Sequence, residues 1–414
     1  RPFSVIENVL LANWRGRFGP GIRAIEREIN AQAERLGFAI DPRSRIDELS
    51  IAERQRVEVI KVLLAGARIL ILDEPTAVLT DDEALRLLTT IRSLAARGAA
   101  VVLVTHKLME VTAFTDRVTV MRNGRAVAVR DSRSTSADEL TRLAVGTTIL
   151  EPRRAASPPG EPVMLVERLQ AARADGHVTV SGTSFQVRAG EIYGIAGVGG
   201  NGQTELAAAL VGGRLPSAGT IEIKEPASPT LIDVTNATSR QRRDRGLAAV
   251  PADRQTYGLA SSLSIMDNFS IGFIHQGRFG SPSRIDRAAM AQSAQAAIAE
   301  FEVQGVRRLS QRAGLLSGGN AQKLILAREL SRAPSIIVAH SPTRGLDVRA
   351  CAAVQRRLLA ASDAGAAVVL ISEDLDEVLS IADRVGVMTR GCIVAEFEAP
   401  ADRQAVGRAM VDHA

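Results

Sequence analysis

The sequence predicts an α/β fold built in two copies. Three observations carry this: a repeat at a fixed offset, short continuous apolar runs, and amphipathic helical stretches between them. Leu49-Ser50-Ile51-Ala52-Glu53-Arg54-Gln55 returns 267 residues later as Leu316-Ser317-Gly318-Gly319-Asn320-Ala321-Gln322. At the same offset Pro75-Thr76 meets Pro342-Thr343, Asp116-Arg117-Val118 meets Asp383-Arg384-Val385, and Gly124 meets Gly391. Ser4-Val5-Ile6-Glu7-Asn8 resembles Ser264-Ile265-Met266-Asp267-Asn268 at an offset of 260, which leaves a seven-residue insertion in the second copy.

Along the first copy, Ile69-Leu70-Ile71-Leu72 reads as a strand buried on both faces, as in a parallel sheet. Thr80-Asp81-Asp82-Glu83 opens a helix with a cap and an acidic first turn. Leu85, Leu88, Ile91 and Leu94 form its expected buried stripe, Gly98 stops it, and Val101-Val102-Leu103-Val104 is the next strand. The second copy repeats the order, with a strand over 336–339, a helix through Ala364 and a strand over 367–371. Such strand–helix–strand units are right-handed parallel crossovers. The Pro- and Arg-rich stretch around 151–162 reads as a linker. The expected division is 1–146, a linker at 147–161, and 162–414. The second copy has about a hundred residues ahead of Ser264, whereas the first has three ahead of Ser4. The expectation is therefore a first copy without roughly its first hundred residues.

Composition narrows the function. The chain has 51 Lys+Arg against 46 Asp+Glu, a net charge of +5, and only four lysines. The arginines are scattered among acids, and one tryptophan, two tyrosines and ten phenylalanines are too few for a base-stacking surface. A nucleic-acid partner is not expected. Cys351 and Cys392 make neither a metal spacing nor a disulfide framework, which fits a reducing compartment. No apolar run approaches the ~18 residues that cross a bilayer.

The chemistry is that of phosphate. Gly197-Val198-Gly199-Gly200-Asn201-Gly202-Gln203-Thr204 lies between the strand-like Glu191-Ile192-Tyr193-Gly194-Ile195-Ala196 and a helical stretch from Glu205. This is the strand–glycine loop–helix pattern whose backbone N–H groups converge on phosphate, with Gln203 at the lysine position. Thr204 is a candidate Mg²⁺ ligand. Without the lysine charge, binding is expected to outlast hydrolysis. A glycine turn serving only packing is the alternative.

The first copy supplies the other half of such a site. Asp73 ends an apolar strand and is placed to hold Mg²⁺, Glu74 beside it to polarise an attacking water, and His106, ending the next strand, to contact the transferring phosphate. A solvated acidic turn is the bland reading of the Asp73-Glu74 pair alone. In the second copy these positions are His340, Ser341 and Glu373, so that copy is not expected to hydrolyse by this mechanism.

At these residues a family resemblance emerges. Leu316-Ser317-Gly318-Gly319-Asn320 resembles the signature motif, and Asp73-Glu74-Pro75-Thr76 the Walker B motif, of ATP-binding cassette (ABC) ATPases. With Gly199-Gly200-Asn201-Gly202-Gln203 and Ser341-Pro342-Thr343-Arg344-Gly345-Leu346-Asp347-Val348, the whole chain resembles the tandem-cassette ATPases of bacterial sugar and nucleoside importers. The nucleoside-type branch is the most similar. The resemblance implies two P-loop NTPase-type ABC cassettes, each a mainly parallel sheet core with a helical subdomain, the first lacking its Walker A portion. It implies ATP and Mg²⁺ as cofactors, with Gly197, Gly200, Asn201, Gly202, Gln203 and Thr204 on nucleotide. It also implies two composite sites. One brings Ser317, Gly318, Gly319 and Asn320 to the first cassette's Walker B and His106. The other sets the Gln203 loop against Ser50-Ile51-Ala52-Glu53, where a capping box of Ser50 with Glu53 is the equal alternative.

Partners follow from the family: two integral-membrane permease subunits and, through them, an extracytoplasmic substrate-binding protein, at the cytoplasmic face of the bacterial inner membrane. Helical insertions near 10–48 and 270–315 would dock there. Ala252 and Arg349 depart from the family pattern. Two rival readings are a soluble tandem ABC protein acting on ribosomes and a decayed gene product that only binds nucleotide. Because the first copy shows no phosphate loop, little or no ATPase activity is expected of this polypeptide alone. Turnover by the purified chain, abolished by Glu74→Gln, would refute that.

Overall fold

In the computed structural model, the described residues are 3–12, 21–49, 51–66, 68–76, 79, 81–105, 107–122, 125–136, 139–140, 143, 160–173, 176–225, 228, 230–274, 276–281 and 284–412. The side chains of 51–52, 81–82, 122 and 411–412 are excepted. Ser50, Thr80, His106 and the expected linker over 147–159 lie outside them. The chain divides into two compact units, Arg1–Ile149 and Leu150–Ala414.

The repeat is visible in hydrogen bonds. In the first unit Ser4 caps helix Val5–Ala12 through Glu7 N–H, bridges to Arg45, and its carbonyl accepts from Asn8 Nδ2 at 3.0 Å. In the second unit Ser264 caps helix Ile265–Ile274 through Asp267 N–H, bridges to Arg312, and accepts from Asn268 Nδ2 at 2.9 Å. Equivalent short polar residues hold equivalent helix starts.

The second unit is built on a six-stranded sheet. Its spatial order is Leu247–Val250, Ile336–His340, Ala367–Ser372, Ile192–Ala196, Arg384–Thr389 and Cys392–Glu398. All neighbours are parallel except the last pair. Side chains alternate across each strand. Ile337, Ala339, Val368 and Leu370 therefore enter one core, with helices Ile265–Ile274, Gly318–Leu330 and Val348–Asp363. Ile336, Val338, Val369 and Ile371 enter another, against a four-stranded antiparallel sheet ordered Val178–Arg188, Pro162–Ala172, Ala218–Lys224, Leu231–Asp233. A helical layer carrying Ile265–Ile274 and Arg287–Glu300 covers the expected insertion near 270–315.

The first unit repeats the crossover: strand Ile69–Asp73, helix Asp81–Ala96, strand Ala100–Val104, with the strands parallel. Gly98, at φ +95°, ends the helix as expected, with Ala99 N–H returning to Leu94 O at 3.1 Å. Two expectations are corrected. The strand is buried on one face only: Leu70 and Leu72 are buried, but Ile69 and Ile71 are 69% and 70% exposed, and Val102 and Val104 are about half exposed. The described helices of this unit lie on the Leu72 side, whereas the positions matching Ile69, Ile71, Val102 and Val104 in the second unit are covered by its antiparallel sheet and the helix at 203–210. The buried stripe of helix Asp81–Ala96 is Ala84, Leu87, Leu88 and Ile91, and Leu85 faces solvent. Leu85 sits about 100° round from Ala84, off the stripe that Ala84, Leu88 and Ile91 define at 3.6 residues per turn. Among the described residues no helix is long and apolar enough to cross a membrane.

Candidate functional site

The phosphate loop of the second unit leaves the fully buried strand Ile192–Ala196 and enters helix Gln203–Leu210. That strand lies in the sheet interior, with the loop at its C-terminal end, where open α/β sheets place ligands. Gly202 caps the helix at φ +100°, and a Cβ there would meet Thr179 O at 2.2 Å. Gly200, at φ +98°, has nothing within 4 Å of the same position, so the loop is open on that side. The free amides at the helix start and this opening fit a nucleotide's phosphates. Asn201 does not face outward alone: its Oδ1 accepts from Arg390 N–H at 3.1 Å and its carbonyl from Gly391 N–H at 3.0 Å, tying the loop to the neighbouring hairpin.

Gln203 is 2% exposed and donates from Nε2 to Val198 O at 2.9 Å. The side chain at the lysine position thus braces the loop from within rather than reaching outward. Gly197 closes against the same amide and Met388 O. Thr204 is exposed, and its hydroxyl makes no hydrogen bond among the described residues, as suits a Mg²⁺ ligand.

The signature residues begin helix Gly318–Leu330, with Ser317 as its exposed N-cap residue. Its hydroxyl does not cap the helix. It accepts instead from Asn320 Nδ2 at 2.9 Å, while Asn320 Oδ1 accepts from Gln304 N–H at 2.7 Å. Asn320 therefore positions Ser317 through the fold. Arg254 stands beside them, donating to Arg344 O at 2.9 Å, and a Cβ on Gly318 would lie 2.9 Å from its Nη2. Burial holds its pKa below the ordinary arginine value. A guanidinium at this helix start is a candidate phosphate contact that sequence reasoning misses, because in Val250-Pro251-Ala252-Asp253-Arg254 the sequence marks only Ala252.

In the first unit Asp73 is exposed at the end of its strand and Glu74 follows at φ +46°. Glu74 N–H donates to Val104 O at 2.8 Å, and Gln55 Nε2 to Glu74 O at 3.0 Å. The second unit keeps the same turn: Ser341 has φ +41° and donates to Ile371 O at 2.7 Å. His340, where Asp73 stands in the first unit, is pushed down to about 4 by burial and by the Arg344 charge, so it is neutral at physiological pH. It offers no carboxylate to a cation.

Each unit also has a buried carboxylate that the sequence did not reveal. Glu110 accepts from Thr76 Oγ1 at 2.5 Å and from Thr105 Oγ1 at 2.8 Å, joining the segment after Glu74 to the residue before His106. Glu377, 267 residues on, accepts from Ser372 Oγ at 2.5 Å and bonds Thr343. Burial pushes its pKa from 4.5 up to about 7, against those hydrogen bonds. The raised value means that the folded state binds the proton more tightly, so this group's contribution is complete below pH 4.5 and is lost as pH rises to about 7. Glu377→Gln is expected to flatten that decline, worth at most about 3 kcal/mol. Thermal unfolding of parent and variant from pH 4.5 to 7.5 checks it; parallel curves would refute it.

Comparison with known proteins accords with this geometry. The ABC transporter family matches residues 3–77 and 180–344. The chain is 41% identical over 414 residues to the glucose import ATP-binding protein TsgD13 of Haloferax volcanii, covering 99% of this chain and 74% of that one. It is 36% identical to the nucleoside import ATP-binding protein NupA of Lactococcus lactis, covering 94% and 76%. It is also 36% identical to the guanosine import ATP-binding protein NupO of Bacillus subtilis, covering 95% and 76%. The protein is a member of the ABC transporter ATP-binding family. Its relatives are import ATP-binding proteins whose names cover both sugars and nucleosides.

Proposed function

We propose that this chain is the ATP-binding subunit of an importer for nucleosides or sugars, coupling ATP hydrolysis to uptake through separate permease subunits and an extracytoplasmic binding protein. The observation that carries it is the phosphate loop, with glycines Gly200 and Gly202 in left-handed backbone at the start of helix Gln203–Leu210. The chain would then work as a peripheral subunit at the cytoplasmic membrane face.

In this reading the amides of 199, 200 and 202–204 hold phosphates in the second cassette, where Thr204 would contribute to Mg²⁺. Ser317, with the Gly318 and Gly319 amides, clamps a terminal phosphate. In the first cassette Asp73 would be the carboxylate for a separate Mg²⁺, which when bound would neutralise phosphate charge there. Glu74 polarises the attacking water and His106 contacts the phosphate being transferred. The second cassette has neither carboxylate, so it binds without turning over. Cells lacking the gene are expected to lose uptake of one labelled nucleoside or sugar. Restoration by the parent allele but not by Glu74→Gln supports the reading. Full restoration by Glu74→Gln, or no uptake defect across the panel, sinks it.

A further inference from the structure

Where the first cassette has His106, the second has Glu373, and the sheet register shows what this carboxylate faces. Ser372 is paired with Ala196, so Glu373 stands level with Gly197 at the root of the phosphate loop. On the other side His340 is paired with Ile371, so Ser341 stands level with Ser372. Glu373 thus lies between the phosphate loop and the strand end matching Asp73-Glu74. Its carboxylate approaches the crest of the loop: a Cβ on Gly199 would lie 3.0 Å from Oε1 and 3.4 Å from Oε2. The side chain is exposed and has no hydrogen bond or ion pair among the described residues. The residue at the lysine position, Gln203, is uncharged and bonded to Val198 O. Compared with a loop bearing lysine and facing histidine, this one has lost a cation and gained an anion.

In a P-loop the helix-start amides take the inner phosphates, while the lysine and the acid-bearing strand attend the terminal one. Glu373 is on that terminal side. We infer that Glu373 sets the specificity of the second cassette, making its phosphate loop select nucleoside diphosphates over triphosphates. A diphosphate ends within the amides. A triphosphate adds a negative charge and brings its terminal group next to a carboxylate with no lysine to offset it, and like charges that close repel. The inference rests on the reading of this loop as a nucleotide site.

The full chain, as the parent and as Glu373→Gln and Glu373→His, is titrated with ATP and with ADP, each with and without Mg²⁺. The parent is expected to bind ADP about tenfold more tightly than ATP. Glu373→Gln should remove most of that preference by tightening ATP, leaving ADP within about twofold, and Glu373→His should carry it further. An unchanged ATP-to-ADP ratio in both variants overturns the inference. So does weaker Mg-ATP binding in Glu373→Gln, which would make the carboxylate a metal ligand. Failure of every form to bind either nucleotide, with normal unfolding curves, would overturn the nucleotide-site reading itself and this inference with it.

Discussion

Gly202→Ala is expected to abolish nucleotide binding by the second cassette, with a loss of affinity of about 100-fold or more. The added methyl would sit 2.2 Å from Thr179 O, a backbone atom of strand Val178–Arg188, so no side-chain rotation can relieve the contact. The residue also holds φ +100°, which L side chains rarely adopt. Relief requires the loop to move away from the sheet, and that carries the helix-start amides out of convergence. Gly200→Ala is the internal control. Its φ is +98°, yet nothing lies within 4 Å of the new Cβ, so only backbone strain of about 1–2 kcal/mol is expected. Titration with a fluorescent ATP analogue, beside thermal unfolding, checks both. Gly202→Ala binding within about twofold of the parent would show that the loop does not make the site.

Glu329→Ala is expected to destabilise the second unit by about 3–5 kcal/mol. The carboxylate is completely buried, at 2.8 Å from both Arg243 and Arg328, and accepts from Ala249 N–H at 3.3 Å. Burial alone would raise its pKa, but the charges of Arg328 and Arg243 outweigh that and hold it below the ordinary value. Its contribution is therefore present above pH 4.5 and lost as pH falls below it. Truncation leaves Arg328 almost enclosed and unpaired, while Arg243 can turn partly to water. The loss also reaches the site, since Glu329 links the signature helix to the strand that runs into Arg254. Urea unfolding followed by helical circular dichroism measures it. A shift below about 1 kcal/mol would show that the arginines find other partners.

Much of this architecture is legible in the sequence. The crossover strands and helices were plain because a core filled from two sides demands runs such as Ile336-Ile337-Val338-Ala339. The strand–glycine loop–helix is plain because Gly200 and Gly202 take positive φ, which glycine adopts readily. What stayed hidden depends on neighbours distant in sequence. Glu110 and Glu377 look like surface acids on short helices until Thr76, Thr105, Thr343 and Ser372 arrive. Asn320 reads as a ligand until Gln304 and Ser317 claim its amide. Arg242 looks like one more surface arginine, yet its guanidinium is buried and bonded to Ala209, Leu210 and Thr235 carbonyls at the far end of the phosphate-loop helix. The exposure of Ile69 and Ile71 was equally out of reach, because an apolar run does not say what packs on each side of it.

The left-handed turn shared by Glu74 and Ser341 bears on the history of the two halves. In both units its backbone is anchored by an N–H donated to the neighbouring strand, so the same chain path holds with glutamate or with serine at this position. The second half, without carboxylates at these two positions, keeps the same scaffold. Substitutions at His340 and Ser341 could install carboxylates with the chain path unchanged. Which side chains this turn presents is therefore a choice of sequence that the fold leaves open.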